Sequence, residues 1–279
     1  MLKMKNYSTV TIYSGQFKYH FLVKYIFFIW LFCLSSSSFS YGLTPLEEFH
    51  QLQKLKINVR NAYAYSLIID HDLRSRDEMQ ININQVSKLA SQIIDSKLLE
   101  RQAALDLSDS ITQFLHSSKM PTIQYFQSSG TGTASKGYLI YSNLMEKINV
   151  AMKVRVATNS IPLSTIAAFE TIDIIMSSIE MHAERALASS RSELFAKEFI
   201  SQTCDAVNRE LAELIEIGSD LKARVKIKRH WQFIEERVCS PLNAKAPFSI
   251  VFFGGLMVRG LEDTFSSDVS KNARLIVNE

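Results

Sequence analysis

Glycine and proline are almost missing from two long stretches of this chain, and that constrains the fold more than any other feature. Between Leu43 and Ser129 there is no glycine, and the prolines are Pro45 and Pro121. Between Tyr138 and Ile217 there is again no glycine, and the one proline is Pro162. Stretches without breakers, whose apolar residues recur three and four apart, read as helices. The chain therefore reads as all-α: an up-and-down antiparallel helical bundle, either a single bundle or two bundles sharing one long helix.

The helix signals can be placed one by one. Thr44-Pro45-Leu46-Glu47 opens the first helix, with Thr as cap, Pro in the first turn and Glu47 closing a capping box. The polar run Asp70 to Glu78 breaks or bends the path. A second helix is expected from there to about Ser117, with Val86, Leu89, Ile93, Leu107, Ile111 and Phe114 as its apolar stripe. Residues 117–137, rich in Ser, Thr and Gly, read as a flexible loop. A third helix spans about Tyr138 to Ala157. A fourth is capped by Ser160, starts at Pro162 and runs to about Leu187. Ile161 to Met181 carries Glu170, Asp173 and Glu180 as its charged residues, and reads as a core helix enclosed on all sides. A second capping box, Ser190 to Glu193, restarts a helix that ends near Gly218. Another runs from Asp220 to about Val238. The apolar segment Phe248 to Val258 is too short to span a bilayer and is interrupted at Gly254-Gly255, so it reads as a buried terminal element.

The first 40 residues differ from the rest. They hold Lys3, Lys5, Lys18 and Lys24 and no acid, then the apolar block Tyr25 to Leu34, then serines. That order describes a secretory signal peptide, residues 1–40, cleaved before Tyr41. The implied place is the periplasm or the exterior. The alternative is a membrane tether formed by an uncleaved leader, the one membrane contact the sequence offers. The helical domain is then 41–279.

The whole chain has 31 basic and 28 acidic residues. The leader takes four basic and no acidic ones, which leaves 27 against 28. A mature charge near −1 argues against a nucleic-acid partner, which would call for a basic surplus. Two cysteines remain, Cys204 and Cys239. In an oxidising compartment they would form a disulfide; otherwise they are two buried thiols. If the chain reverses near Gly218, Cys204 lies level with about Phe233, which puts Cys239 roughly 8–9 Å too far along. Bonding then needs a longer turn, or a helix that ends before Cys239, as Pro241 favours.

Catalytic and metal motifs are missing. No His-x-x-x-His pair, no nucleophile turn and no phosphate loop in its proper order occurs, so neither enzyme chemistry nor a cofactor is expected. Asp70-His71-Asp72 reads as a polar turn.

One pattern carries a resemblance. Tyr141-x-x-Leu144-Met145-x-x-Ile148 is followed by a long apolar helix ending in Glu180-Met181-His182-Ala183-Glu184-Arg185-Ala186. With Leu52-Gln53 in the first helix, this resembles the nitrate- and nitrite-sensing domain family, over about Leu46 to Trp231. Members are helical bundles that sense small oxyanions and are usually joined to a transducing module. In this chain Ala183 stands for the glycine of the family's second block, and Lys56 for its first arginine. The resemblance implies an exported ligand-sensing or binding module for an oxyanion such as nitrate or nitrite, acting through a protein partner. A guanidinium fork suits a planar oxyanion better than an ammonium does. Arg185 is therefore the first candidate contact and Lys56 the second. The alternative is a structural or protein-interaction protein of the envelope, with no small ligand, whose partner meets loop 117–137 or the apolar C-terminal segment.

Overall fold

The computed structural model describes residues 43–70, 72–96, 99–117, 136–157, 161–188, 193–217, 221–240 and 248–276. The expected leader, most of loop 117–137, His71, Ser160 and the start of the second capping box lie outside them.

The first helix, α1 (Pro45–Ile68), starts as its sequence dictates. The Glu47 amide donates to Thr44 Oγ1 at 3.2 Å, and the Thr44 amide donates back to the Glu47 carboxylate at 2.8 Å. The break after α1 is shorter than Asp70 to Glu78, because α2 (Arg74–Asp95) begins within that polar run. Asp72 accepts from the Arg74 amide at 3.1 Å and secures the turn. The expected second helix is in fact two, α2 and α3 (Arg101–Ser117). No glycine or proline marks the break between them. Ser96 ends α2 by donating its hydroxyl to the Ile93 carbonyl at 2.6 Å, where it competes with the helix for that acceptor.

Then follow α4 (Lys136–Ala157), α5 (Leu163–Ala188), α6 (Glu193–Ile217), α7 (Leu221–Ile234) and α8 (Ser249–Ile276). Among the described residues there are eight α-helices and no strand. They form two four-helix rings. In one, α1 packs on α2, α2 on α3, α3 on α4 and α4 on α1. In the other, α5 packs on α6, α6 on α7, α7 on α8 and α8 on α5. The rings meet where α1 lies against both α5 and α8. Side-chain pairs fix the directions. Asn61 with Gly255 and Tyr65 with Phe252 make α8 antiparallel to α1. Glu48 with Arg155 and Tyr63 with Tyr141 make α4 antiparallel to it. Arg60 with Glu180 and Tyr63 with Glu184 make α5 parallel. Two bundles thus share α1 at their seam.

This placement corrects the expectation for α5. The enclosed helix is α1, in which every residue from Glu48 to Ile68 is buried or half-buried. Helix α5 instead leaves Leu163, Ile174 and Met181 exposed at 83%, 49% and 45%. Four helices surround α1, whereas α5 is covered from one side by α1, α6 and α8.

The segment Phe248 to Val258 is buried as expected, but its glycines do not interrupt it. Helix α8 runs straight through Gly254 and Gly255 because they let neighbours come close. A Cβ at Gly254 would lie 2.7 Å from Ile179 Cδ1, and one at Gly255 2.7 Å from Tyr65 Cζ. Within it Phe253 and Leu256 stay half-buried, and the residues around them are buried.

Cys204 and Cys239 form a disulfide, with Cα atoms 5.9 Å apart. The helix does not end before Cys239. After α7 it widens into a π turn, Glu235–Cys239, closed by the Ser240 amide on the Glu235 carbonyl at 2.9 Å. A wider turn advances less per residue, which shortens the offset between the cysteines. Ser240 then leaves in an extended conformation, ψ 131°, as the residue before a proline should.

Candidate functional site

The enclosure of α1 would suit an apolar helix, yet α1 buries Glu48, His50, Gln53, Lys56, Asn58, Arg60, Asn61 and Ser66. Buried polar groups require partners. Asn58 and Ser66 donate to carbonyls of α1 itself and Asn61 to the Gly255 carbonyl, whereas the charged groups, with His50 and Gln53, find partners in three clusters along the helix.

The largest cluster faces α5. Lys56, Arg60 and Tyr63 recur four and three apart, so they share one side of α1. Asp173, Ser177, Glu180 and Glu184 recur in the same way on α5. Because the two helices run parallel, the rows meet in register. Arg60 sits at the centre, 4% exposed. Its Nε and Nη2 donate to the two oxygens of Glu180 at 2.9 and 2.7 Å, a bidentate fork. Nη2 also donates to Ser177 Oγ at 2.8 Å, and Nη1 to the Asp173 carbonyl at 3.2 Å. Lys56 is ion-paired with the Asp173 carboxylate. Tyr63 donates to Glu184 at 3.0 Å and Tyr141, from α4, to Glu180 at 2.9 Å. The two tyrosine rings stack at 4.1 Å.

Electrostatics follow from this arrangement. Burial alone would lower the affinity of Arg60 for its proton, but the hydrogen bonds and charge of Glu180 outweigh it and hold the guanidinium above its ordinary value. Burial first, then the Glu184 carboxylate, pushes the Tyr63 phenol up. Burial and Glu180 push Tyr141 well up. These phenols are donors to carboxylates, and the guanidinium is a fixed cation. The arrangement neutralises charge and joins three helices.

The second cluster lies between α1 and α8. Ser266 donates to the Glu262 carboxylate, and His50 Nδ1 meets Ser266 Oγ at 3.4 Å. Lys54 reaches Asp263 at 3.0 Å and Glu262 at 3.7 Å. Glu262 is 1% exposed, and burial pushes its carboxyl up to about 7. Burial lowers His50 to about 4. The third cluster pairs the fully buried Glu48 with Arg155 of α4 at 2.5 Å. Burial raises the Glu48 carboxyl, and Arg155 only partly offsets this.

The two candidate cations do not come together. Lys56 is taken up by Asp173, whereas Arg185 is exposed on α5. Arg185 stands twelve residues beyond Asp173, about 18 Å along the helix axis. A single small oxyanion cannot span that separation. The site the structure does build is centred on Arg60, one turn beyond Lys56. Its signal was in the sequence: Lys56, Arg60 and Tyr63 share a face, as do Asp173, Glu180 and Glu184. Among the described residues, no group of His, Cys, Asp or Glu is arranged to hold a metal ion. No described helix is long and apolar enough to cross a membrane.

Comparison with protein-family models, with curated proteins and with solved structures finds no match for the chain.

Proposed function

We propose that this chain is an exported, non-catalytic helical module that works by contact with another protein and holds no small oxyanion in its interior. One observation carries the reading. The interior cations on α1 are matched by the protein's own carboxylates, Lys56 by Asp173 and Arg60 by Glu180. An oxyanion entering there would have to displace a hydrogen-bonded carboxylate from a partly desolvated pair, and breaking such a pair costs about 3–5 kcal/mol. The disulfide between Cys204 and Cys239 supports an oxidising location beyond the inner membrane.

The test has two arms. Purified protein and its Arg185→Ala variant are titrated with nitrate and with nitrite, by calorimetry and by thermal shift. No heat and no shift are expected from either. Saturable binding of either anion, whether or not the variant loses it, would overturn the reading and restore the oxyanion sensor. In the second arm the full chain is crosslinked in its native envelope and mapped by mass spectrometry. Crosslinks to one recurring protein are expected from loop 117–137 and the adjoining α4. Their absence under conditions that crosslink known envelope pairs would count against a partner.

A further inference from the structure

Among the described residues, seven of the eleven large apolar side chains that stand exposed belong to α4 and α5. On α5 they form a seam. Leu163, Ala167, Glu170, Ile174, Ser177 and Met181 alternate in steps of four and three, the spacing of a helix face made to meet another helix. The centre of this seam is self-complementary. Ile174 and Met181 stand at equal distances from the midpoint between Ser177 and Ser178. So do Glu170 and Arg185, each about 11 Å from that midpoint. Glu170, Ile174, Met181 and Arg185 are all exposed.

We propose that α5 is a homodimer surface, on which a second copy packs antiparallel across a two-fold axis at Ser177/Ser178. An isologous contact requires that residue i meet j while j meets i. The axis satisfies this for both pairs at once. Ile174 of each copy meets Met181 of the other, and Glu170 meets Arg185. The small serines at the crossing let the helix axes approach within the usual 8–10 Å. Both hydroxyls are turned back onto their own helix, Ser177 to the Asp173 carbonyl at 2.9 Å and Ser178 to the Ile174 carbonyl at 3.1 Å, so neither polar group is stranded by closure. A like-oriented pairing would set Glu170 against Glu170 and Arg185 against Arg185, so charge selects the antiparallel form. A contact built on one helix pair falls near the lower limit of about 1,000 Å² for a specific interface, so the dimer is weak and concentration-dependent. This surface goes beyond the partner reading and does not depend on it.

The test is sedimentation equilibrium of the full chain from low to high micromolar concentration, with variants that keep the helical circular dichroism of the wild type. A monomer–dimer equilibrium is expected. Ile174→Arg abolishes it. Glu170→Arg and Arg185→Glu each weaken it about tenfold, and the double swap returns it to near the wild-type constant. Ser178→Cys, lying at the axis, gives a disulfide-linked dimer joined 178 to 178 on mild oxidation, whereas Ser87→Cys on α2 does not. A protein that stays monomeric throughout would overturn the proposal. So would a dimer indifferent to Ile174→Arg, or a double swap no better than the single changes.

Discussion

Glu262 and His50 are buried against each other through Ser266, and burial moves their protonation in opposite directions. The Glu262 carboxyl rises from 4.5 to about 7, so the folded state holds this proton more tightly than the unfolded chain does. Its contribution is complete below pH 4.5 and is lost as pH rises through about 7. The His50 imidazole falls from 6.5 to about 4, so its contribution is complete above pH 6.5 and is lost as pH falls toward 4. Between pH 4.5 and 6.5 the two slopes oppose each other. Single changes should separate them. Glu262→Gln leaves a protein whose urea midpoint falls on acidification across this window. His50→Phe, placed among the Phe49 and Phe169 rings, leaves one whose midpoint rises. Each swing amounts to at most about 3 kcal/mol. Parallel slopes in the two variants would refute the pairing. Arg60 is the other decisive residue. Arg60→Ala leaves the half-buried Glu180 without its cation, while Asp173 keeps Lys56, and should cost about 3–5 kcal/mol in chemical denaturation. Arg60→Met with Glu180→Met removes both charges and should recover most of that loss. If the double variant is no better than the single one, the cost is packing and not charge.

At the scale of elements, the sequence was readable where a local signal sets the structure. The Thr44–Glu47 box starts α1, Pro162 precedes α5, and breaker-free stretches become helices. It was misleading where the structure depends on distant partners. The charges of helix α1 have no match in its own sequence, because they are answered by residues more than one hundred positions away, such as Asp173 and Glu180. Helix α5 looks like a core helix, because its exposed stripe is itself apolar. Arg60 shares a legible face with Lys56 and Tyr63, but its importance comes from Glu180, which its neighbours in sequence do not indicate. Gly254 and Gly255 read as breakers, yet their role is close packing. Gly255→Ala tests this. The new methyl would strike Tyr65 and lie 3.0 Å from Asn61 Oδ1, at the point where Asn61 and Tyr65 donate to α8 carbonyls. A loss of about 1–3 kcal/mol is expected in thermal or urea melts, against a small gain where alanine merely replaces glycine in an open helix. A stabilised Gly255→Ala would show that the two helices are not locked at this depth.

The whole molecule is organised by the sharing of α1 between its two rings. Helices α2 and α4 hold α1 within the first ring, and α5 and α8 hold it against the second. Arg74 of α2 adds a further tie across the seam, 4.4 Å over the Phe252 ring, and Arg259 of α8 pairs with Glu78 at 3.0 Å. Opening the second ring therefore takes the partners of Lys56 and Arg60 away, opening the first takes Arg155 from Glu48, and the two rings should unfold together. Helices α3 and α7 are placed differently, each packed mainly on its two ring neighbours and far from the seam. Hydrogen exchange followed by mass spectrometry gives this a direct readout. Amides of α1 from about Leu55 to Tyr65 should exchange only through global unfolding, while those of α3 exchange by local opening at much lower free energy. Helix α7 should move toward the behaviour of α3 once the Cys204–Cys239 bond is reduced, because that bond ties its C-terminal π turn to α6. If α1 exchanged as fast as α3, the polar seam would not be the element on which both rings depend.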